Sequence, residues 1–372
     1  MIKLRYNEIK MFEVIGKYGT ARVFSENRDE KAIDQIQTLM DQPFVKGAHV
    51  RIMPDYHWGA GATIGFTARL GDCVVPNLVG VDIGCGVYVE ELGKQEIDLR
   101  AFDRVVHQIP AGFKSWSKPV RDAPFMRDLR CYKEIKSSVI DQQVGTLGGG
   151  NHFIELDKNE ETGQIYLLIH SGSRNIGKQV ADYYQKEAER TCKADVPPPL
   201  KYLTGEPMQR YLHDMRLCQQ YANLNRKTMG EFINHHFGVG GKVFQTIHNF
   251  IGEDNIIRKG AVSAKNGERL IIPLNMRDGA LICVGKGNPD WNYSAPHGAG
   301  RILGRRDAMR RLNLEDFRKT MKDVFSTTIG RDTLDEAPMA YKPTEEIVDA
   351  IGNTVEIESH LIPTYNFKAG RE

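Results

Sequence analysis

Apolar residues recur at helical spacing between residues 27 and 41, where they return every three or four positions and predict a helix. Further helices are predicted at residues 178–192, 307–325 and 344–351. A longer helix is expected after residue 207, because one face of it collects Tyr211, Met215, Cys218, Ala222 and Met229. The simplest interpretation of that face is burial in the core.

Short apolar runs broken by Gly and Pro replace this pattern between residues 48 and 90, and they predict strands and turns. "QIYLLIH" (164–170) predicts a buried strand that ends on His170. Three consecutive prolines exclude a helix within residues 193–207 and indicate an ordered loop. Four later runs also predict strands: "KVFQTIHNF", "NIIRKGAV", "ERLIIP" and "ALICVG".

The predicted strands and helices occur in separate groups, and they do not alternate regularly along the chain. Grouping of this kind favours an α+β fold over a parallel βαβ fold. No segment has the composition of a linker, so we expect residues 1–372 to form a single mixed domain.

Composition limits the classes of function. The 372 residues are 41% hydrophobic, which is enough for a large core. Lys and Arg number 50 against 48 Asp and Glu, so nucleic-acid binding would need local basic patches. No apolar run approaches the ~20 residues of a membrane span, and the charged N-terminal segment predicts no signal peptide. Six scattered cysteines predict no disulfide framework and favour the cytoplasm.

Four histidines lie at predicted strand-to-loop junctions beside Gly, Asn or Ser: His152, His170, His248 and His297. "GVDIGCG" (80–86) adds Asp82 and Cys85 in a glycine-rich bend. Carboxylate, thiolate and imidazole are the usual donors to transition metals, and a thiolate can bridge two ions. The pattern therefore favours a metal site, with a glycine-rich core turn and a buried cysteine as the alternative.

Two segments carry signals for binding phosphate. "HSGSRNIGKQV" predicts a strand, a loop and a helix N-terminus beside Arg174, which suits an oxyanion. "HGAGRILGRRDAMRR" places five arginines after His297, either as a solvated basic helix face or as a track for a nucleic-acid backbone. Neither segment is a Walker loop or a Rossmann fingerprint.

Seven motifs together resemble the RtcB family of GTP-dependent RNA ligases. They are "MPDYHWGAGATIG" (53–65), "VGVDIGCG" (79–86), "GTLGGGNHFIE" (145–155), "HSGSRNIG" (170–177), "RKGAVSA" (258–264), "HGAGR" (297–301) and "DEAPMAYK" (335–342). The resemblance covers residues from about 50 to about 345, with the motifs in the family's order. It implies β-sheets surrounded by helices, with the site in a central cleft.

The resemblance also implies a role for each candidate residue. Two Mn²⁺ ions would be bound by Asp82, Cys85, His152, His170 and His248, with Cys85 bridging. His297 would accept GMP from GTP as a covalent adduct. The guanylate and its phosphates would contact Asp55, Asn151, Phe153, Glu155, Gly298, Ala299, Gly300 and Lys368. Phosphate or RNA would contact Arg174, Arg301 and Arg305.

The reaction that this resemblance implies joins an RNA 3′-phosphate or 2′,3′-cyclic phosphate to a 5′-hydroxyl, through an RNA 3′-diphosphate-guanosine, in RNA repair or tRNA splicing. An archease-like activator is a possible partner. By themselves the thiolate and imidazole donors suggest zinc, iron or cobalt, whereas the family uses manganese.

Two alternative functions are a two-metal phosphatase or nuclease that has lost guanylylation, and a non-catalytic RNA-binding module.

Three features depart from the family pattern and suggest a divergent subgroup. One is the segment between His170 and His248, which is short for the family. "PLNMRDG" (273–279) replaces a turn of small residues, and four residues follow Lys368 where many members end on Lys-Gly. Trp58 and Trp291 are large enough to stack on bases, but we predict that both pack in the core.

Overall fold

The secondary structure comes from a computed structural model, which describes residues 11–370. Within this range the α-helices are α1 (Glu30–Met40), α2 (Leu99–Val106), α3 (Ile140–Gln143), α4 (Arg174–Thr191), α5 (Gly205–Phe237), α6 (Arg305–Arg311), α7 (Leu314–Thr320) and α8 (Thr344–Ile351). Among the described residues, no helix combines the length and the apolar character needed to cross a membrane.

Strands are more numerous than helices and mostly short. They are β1 (Phe12–Ile15), β2 (Thr20–Val23), β3 (Arg51–His57), β4 (Ile64–Arg69), β5 (Cys73–Val74), β6 (Gly86–Gly93), β7 (Phe153–Lys158), β8 (Ile165–Ser171), β9 (Leu203–Thr204), β10 (Val243–Ile247), β11 (Asn249–Ile251), β12 (Ile256–Lys259), β13 (Ala261–Ser263), β14 (Arg269–Asn275), β15 (Gly279–Gly285), β16 (Ser294–Pro296) and β17 (Val355–Lys368).

Two large sheets organise these strands. The seven-stranded sheet has the order β10-β6-β8-β7-β17-β15-β14, and all its pairs are antiparallel. Its edges approach each other, since the Ile271 backbone N–H on β14 donates to Thr246 Oγ1 on β10 at 3.2 Å. The six-stranded sheet has the order β1-β2-β3-β4-β12-β11, with one parallel pair, β2 and β3. The fold is therefore α+β, as predicted.

The long helix α5 packs against strands of both large sheets and contributes side chains to the largest hydrophobic cluster. Its predicted buried face is confirmed, because Tyr211, Met215, Cys218, Ala222 and Met229 are all fully buried. Met229 belongs to a second cluster on one face of the seven-stranded sheet. Burying one such side chain contributes about 1.5–3 kcal/mol. This packing fixes α5 beneath the bend that holds Asp82 and Cys85.

Several predicted elements differ from the structure in their boundaries. The helices predicted at 27–41 and 344–351 are present, but the one predicted at 178–192 already begins at Arg174. The single helix predicted at 307–325 is wrong: the chain leaves helix at Leu312, and the Asn313 side chain caps α7 by accepting from Glu315 N at 2.7 Å.

The two tryptophans differ in burial. Trp291 is 1% exposed and stacks on Phe24 with ring centroids 3.9 Å apart, so its predicted packing is confirmed. Trp58 is 55% exposed, and the prediction that it packs in the core is wrong. Trp58 follows the last residue of β3, where the chain leaves the sheet and turns towards solvent.

Candidate metal centre and nucleotide site

Asp82 and Cys85 lie on a tight bend that leads into β6. The Cys85 backbone N–H donates to the Asp82 carbonyl at 3.2 Å, which closes the turn. Gly84, between them, has φ +71°, and a Cβ atom there would lie 2.8 Å from the Cα atom of Gln219 on α5. Glycine is therefore needed both for the backbone angle and for the approach of the helix.

The bend brings both side chains to three histidines from different strands. Cys85 Sγ lies 3.4 Å from His152 Nε2 and 3.3 Å from His170 Nε2, and Asp82 Oδ2 lies 3.1 Å from His152 Nε2. His248 completes the cluster at the break between β10 and β11. The donors form two groups, Asp82–Cys85–His152 and Cys85–His170–His248, each with all donor atoms within 4.8 Å of one another. Cys85 is the residue that the groups share.

Hydrogen bonds to backbone carbonyls orient two of the imidazoles. His152 Nδ1 lies 2.9 Å from the Leu147 carbonyl oxygen, and His170 Nδ1 lies 3.1 Å from that of Asn151. Because a carbonyl only accepts, each Nδ1 carries a proton, which turns each Nε2 towards the cluster. His152 Nε2 hydrogen-bonds to Asp82 when it also carries a proton, and a bound cation would displace that proton and leave both Nε2 atoms as ligands. This buried group can bind a metal.

Burial sets the protonation of the cluster. It lowers the pKa values of His170 and His248 well below their usual range, so both imidazoles are neutral and available as ligands. Burial opposes ionisation of Asp82, but its hydrogen bond to His152 lowers its pKa to about 2. Burial raises the pKa of the Cys85 thiol, and a bound cation would reverse that effect.

Two arginines hold the backbone around the cluster. Arg226 on α5 is fully buried and donates through Nη1 to the carbonyls of Gly84 and Ser171, at 2.8 and 2.7 Å. Sequence reasoning missed it, because a charged residue on an apolar helix face gives no distinct pattern. Arg174 donates through Nε to Thr146 Oγ1 at 2.9 Å and through Nη2 to the Gly112 carbonyl at 2.7 Å.

Gly148 explains part of the glycine run before His152. Its φ is +94°, and a Cβ atom there would lie 2.2 Å from Arg174 Nη1 and 2.5 Å from His152 Nδ1. A larger residue would displace both side chains. The loop therefore brings Arg174 close to the cluster, where its predicted phosphate contact remains a prediction. Asn151 lies in the same loop, and its backbone carbonyl orients His170.

His297 lies next to the cluster, with its ring centroid 4.8 Å from that of His248. Its Nδ1 is 2.6 Å from Asp55 Oδ2, and its backbone N–H donates to the same oxygen at 3.1 Å. Asp55 is fully buried. In the structure Asp55 orients the His297 ring through Nδ1, and Nε2 is the ring nitrogen left out of this contact. The predicted guanylate contact of Asp55 remains a prediction.

The small residues after His297 form the turn that follows β16. The Gly300 carbonyl accepts from the Lys342 backbone N–H at 3.0 Å, and Lys342 Nζ donates to the Pro54 carbonyl at 2.7 Å. These bonds hold the turn against β3, the strand that carries Asp55. The predicted nucleotide contacts of Gly298, Ala299 and Gly300 remain predictions.

The other predicted nucleotide residues lie on paired strands β7 and β17. Phe153 pairs with Lys368, and Lys368 Nζ lies 5.4 Å from the centroid of the Phe153 ring. Glu155 pairs with Asn366, whose side chain donates to the Glu155 carboxylate. Burial raises the pKa of Glu155 to about 7, although Asn366 and Lys368 oppose the shift. Lys368 is itself buried within this group of side chains.

Glu336 connects the predicted nucleotide and RNA residues. It is buried and accepts from Lys368 Nζ at 2.9 Å, from Arg301 Nη1 at 3.2 Å and from the Arg305 guanidinium. Burial alone would raise its pKa, but the charges of Lys368, Arg305 and Arg301 lower it well below its usual range. Sequence reasoning assigned no role to Glu336, although it lies in the quoted motif "DEAPMAYK".

The turn "PLNMRDG" joins β14 to β15. Asp278 Oδ2 accepts from Asn275 Nδ2 at 2.8 Å and from Thr344 Oγ1 at 3.2 Å, and the Asp278 carbonyl lies 2.7 Å from His360 Nε2. These contacts attach the tip of the turn to α8 and β17. Its predicted influence on the nucleotide or RNA end remains a prediction.

The comparisons with known proteins agree on one family. A family model described as tRNA-splicing ligase RtcB matches residues 35–127 and 125–369. A protein named RNA-splicing ligase RtcB from Escherichia coli strain K12 is 30% identical, over 88% of this chain and 91% of that protein. A tRNA-splicing ligase RtcB from Aeropyrum pernix is 26% identical, over 80% of this chain and 82% of the relative.

A further relative comes from Escherichia coli strain ATCC 25922 and is named RNA-splicing ligase RtcB2. It is 27% identical to this chain, over 86% of each sequence. The range matched by the family model includes all five residues of the candidate metal centre.

Proposed function

We propose that this chain, which belongs to the RtcB family, joins an RNA 3′-phosphate to an RNA 5′-hydroxyl at the expense of GTP. The relatives named as RNA-splicing and tRNA-splicing ligases support an enzyme acting on RNA. The whole chain, residues 1–372, would act as one ligase domain in RNA repair or tRNA splicing.

His297 would carry the nucleotide. Its Nε2 lone pair attacks the α-phosphorus of GTP, an N–P bond forms, and pyrophosphate leaves with the electrons of the broken P–O bond. Asp55 accepts from Nδ1–H throughout, so it stabilises the positive charge that develops on the ring. Phe153, Glu155 and Lys368 are the proposed contacts for the guanylate.

The nucleotide would then activate the RNA. An oxygen of the RNA 3′-phosphate attacks the phosphorus of the histidine adduct, the N–P bond breaks, and an RNA 3′-diphosphate-guanosine forms. The 5′-hydroxyl oxygen next attacks the RNA-side phosphorus, loses its proton and displaces GMP. A 2′,3′-cyclic phosphate end would first be hydrolysed to the 3′-phosphate.

Asp82, Cys85, His152, His170 and His248 would hold two divalent ions, with Cys85 in both coordination groups. When bound, such ions neutralise crowded phosphates and polarise attacking and leaving oxygens. We propose Mn²⁺, because the donors supplied by the chain leave room for phosphate and water oxygens, which suit that ion. Cys85 must stay reduced for this role, which favours the cytoplasm. An archease-like activator would assist turnover, as the resemblance to the family implies.

The main observation behind the proposal is that His297 pairs with Asp55 beside the candidate metal centre. The test incubates the protein with α-labelled GTP and Mn²⁺ and looks for an acid-labile protein–GMP adduct. We expect labelling of the wild type and none of His297→Ala. His360→Ala is the matched control, because His360 is an exposed histidine whose ring contacts the Asp278 carbonyl, and it should label normally.

Labelling by GTP, measured together with phosphate release from RNA and with RNA binding, separates the alternatives. A protein that never labels but releases phosphate from a 3′-phosphate RNA is the two-metal phosphatase. A protein that binds RNA without labelling or phosphate release is a binding module. Joined product from 3′-phosphate and 5′-hydroxyl oligonucleotides, dependent on GTP and on His297, completes the evidence for the ligase.

A further inference from the structure

Two exposed aromatic side chains flank the residues of the candidate site. Trp58 is 55% exposed and Phe113 is 84% exposed. Trp58 follows His57, whose ring nitrogen lies 3.0 Å from the Asp55 carbonyl on the nucleophile side. Phe113 follows Gly112, whose carbonyl accepts from Arg174 on the metal side. Trp58 is therefore linked through the backbone to the Asp55–His297 part of the site, and Phe113 to its Arg174 part.

The segments that carry these rings are held in place by hydrogen bonds. The Gly112 backbone N–H donates to the Gly148 carbonyl at 2.9 Å, and Trp116 Nε1 donates to the Gly145 carbonyl at 3.1 Å. This attaches the Phe113 segment to the glycine loop of the metal centre. On the other side, Gln35 Nε2 donates to the Gly59 carbonyl at 2.7 Å. Fixed backbones beneath exposed rings preorganise a binding surface.

Cationic side chains accompany both rings. Lys114 and Lys118 follow Phe113 and are exposed. On the Trp58 side, Lys31 is exposed on α1, the helix whose Gln35 contacts Gly59. Arg310 on α6 has a side chain that is 75% exposed and pairs with Asp307. Aromatic faces for bases combined with cations for the backbone are the features that bind single-stranded nucleic acid. A hydrophobic protein partner would match the rings but not the surrounding positive charge.

We infer that Trp58 and Phe113 stack on bases of the unpaired terminal nucleotides of the two RNA ends and guide those ends to the metal centre. This inference rests on the proposed function and specifies how its RNA substrate is held. Each ring serves one end, because the two ends must approach the joined phosphate from different sides. The preferred substrate is therefore an RNA break whose terminal nucleotides are unpaired.

The first test measures the affinity for two fluorescein-labelled RNA oligonucleotides, one with a 3′-phosphate and one with a 5′-hydroxyl end, by anisotropy. We expect Trp58→Ala and Phe113→Ala each to weaken the binding of one oligonucleotide by roughly 5- to 150-fold, the range for one base–aromatic stack. Phe113→Tyr and Trp58→Phe keep a ring and should restore most of the affinity. Tyr18→Ala, an exposed aromatic in the β1–β2 turn, is the control and should bind like the wild type.

An abasic terminal nucleotide tests the contact directly. In the wild type, removing the terminal base should weaken binding; in the variant that lacks the matching ring, it should have no further effect. Equal affinities of both alanine variants and Tyr18→Ala, or losses that simply add to the abasic effect, would overturn the inference.

Labelling by GTP keeps this result separate from the proposed function. Neither ring is placed in guanylylation, so both alanine variants should form the protein–GMP adduct at the wild-type rate. Absence of labelling in the wild type would contradict the ligase proposal, whatever the RNA affinities. Normal labelling with unchanged RNA affinity would overturn only the role of the aromatic rings.

Discussion

At the scale of single residues, Asp55 determines which nitrogen of the His297 ring carries the proton. A buried carboxylate only accepts, so it fixes the proton on Nδ1 and leaves the Nε2 lone pair for the proposed attack on phosphorus. Asp55→Asn keeps the size but presents an amide, which can donate to Nδ1 and favour the wrong tautomer. We expect the rate of adduct formation to fall by roughly 10²- to 10⁴-fold, by analogy with catalytic triads, as measured with α-labelled GTP in a quenched time course.

Circular dichroism and the melting temperature serve as controls for Asp55→Asn, since a misfolded variant would also fail to label. A well-folded variant that labels at the wild-type rate would show that Asp55 does not set the tautomer of His297.

Glu155 gives a pH-dependent prediction. Burial raises its pKa to about 7, so the free protein holds a proton there at pH 6. If Glu155 accepts N–H bonds from guanine, binding requires the carboxylate, and below pH 7 binding must release that proton. The affinity for GMP should therefore rise up to about tenfold per unit from pH 6 towards 7 and level off above. Isothermal titration of the wild type and Glu155→Gln measures it.

In Glu155→Gln this contribution disappears, because the amide does not titrate between pH 6 and 8. Titration of the phosphate and of other protein groups is common to both proteins and cancels in the ratio of their affinities. A constant ratio across this range would exclude Glu155 as the guanine acceptor.

The sequence allowed some residues of the site to be predicted and not others, for a physical reason. Asp82, Cys85 and the histidines stand out because side chains that can coordinate a metal have few other functions when glycines flank them. Arg226 and Glu336 do not stand out, since their importance comes from burial against partners distant in the chain. Trp58 was mispredicted because ring size alone does not reveal exposure.

At the scale of elements, β17 was not predicted, although it lies inside the seven-stranded sheet. Its sequence contains Pro363 and charged residues, and the pairing shifts register near Pro363. The strand therefore depends on β7 and β15, which pair with it across the chain, more than on its own pattern. Only this pairing brings Lys368 opposite Phe153.

Glu336 joins β17 to α6 and to the turn after His297, so Glu336→Gln should affect all three elements. Removing its charge leaves Lys368, Arg301 and Arg305 without their shared buried counter-ion. We expect the free energy of unfolding to fall by roughly 3 kcal/mol, measured by urea denaturation, and the affinity for GMP to fall as Lys368 loses its position.

Glu315→Gln is the matched control, because the Glu315 ion pair with Lys319 lies on the exposed face of α7 at 3.6 Å. Exposed pairs contribute little, so no measurable change is expected. If Glu336→Gln were as stable as this control, the buried network would not hold the three elements together.

At the scale of the whole molecule, the candidate metal centre joins segments that are far apart in the chain. Its five donor residues come from the bend before β6, the loop before β7, the end of β8 and the break between β10 and β11. Each segment packs on α5 or belongs to the seven-stranded sheet. Ions bound here would therefore stabilise the native arrangement of both, because the unfolded chain cannot present these donors together.

Removal of metal should accordingly lower the melting temperature of the wild type. At a free Mn²⁺ concentration about 100 times Kd, binding at one site contributes about 2.7 kcal/mol. Treatment with EDTA should remove this contribution, and added Mn²⁺ should restore it, as followed by scanning calorimetry.

Cys85→Ala loses a donor common to both groups, so its melting temperature should respond weakly to Mn²⁺ or EDTA and its metal content should fall. Cys283→Ala, which removes a buried cysteine from β15 instead, should keep the full response even though its core packing is weakened. An identical response of Cys85→Ala and the wild type would show that the thiolate is not a ligand.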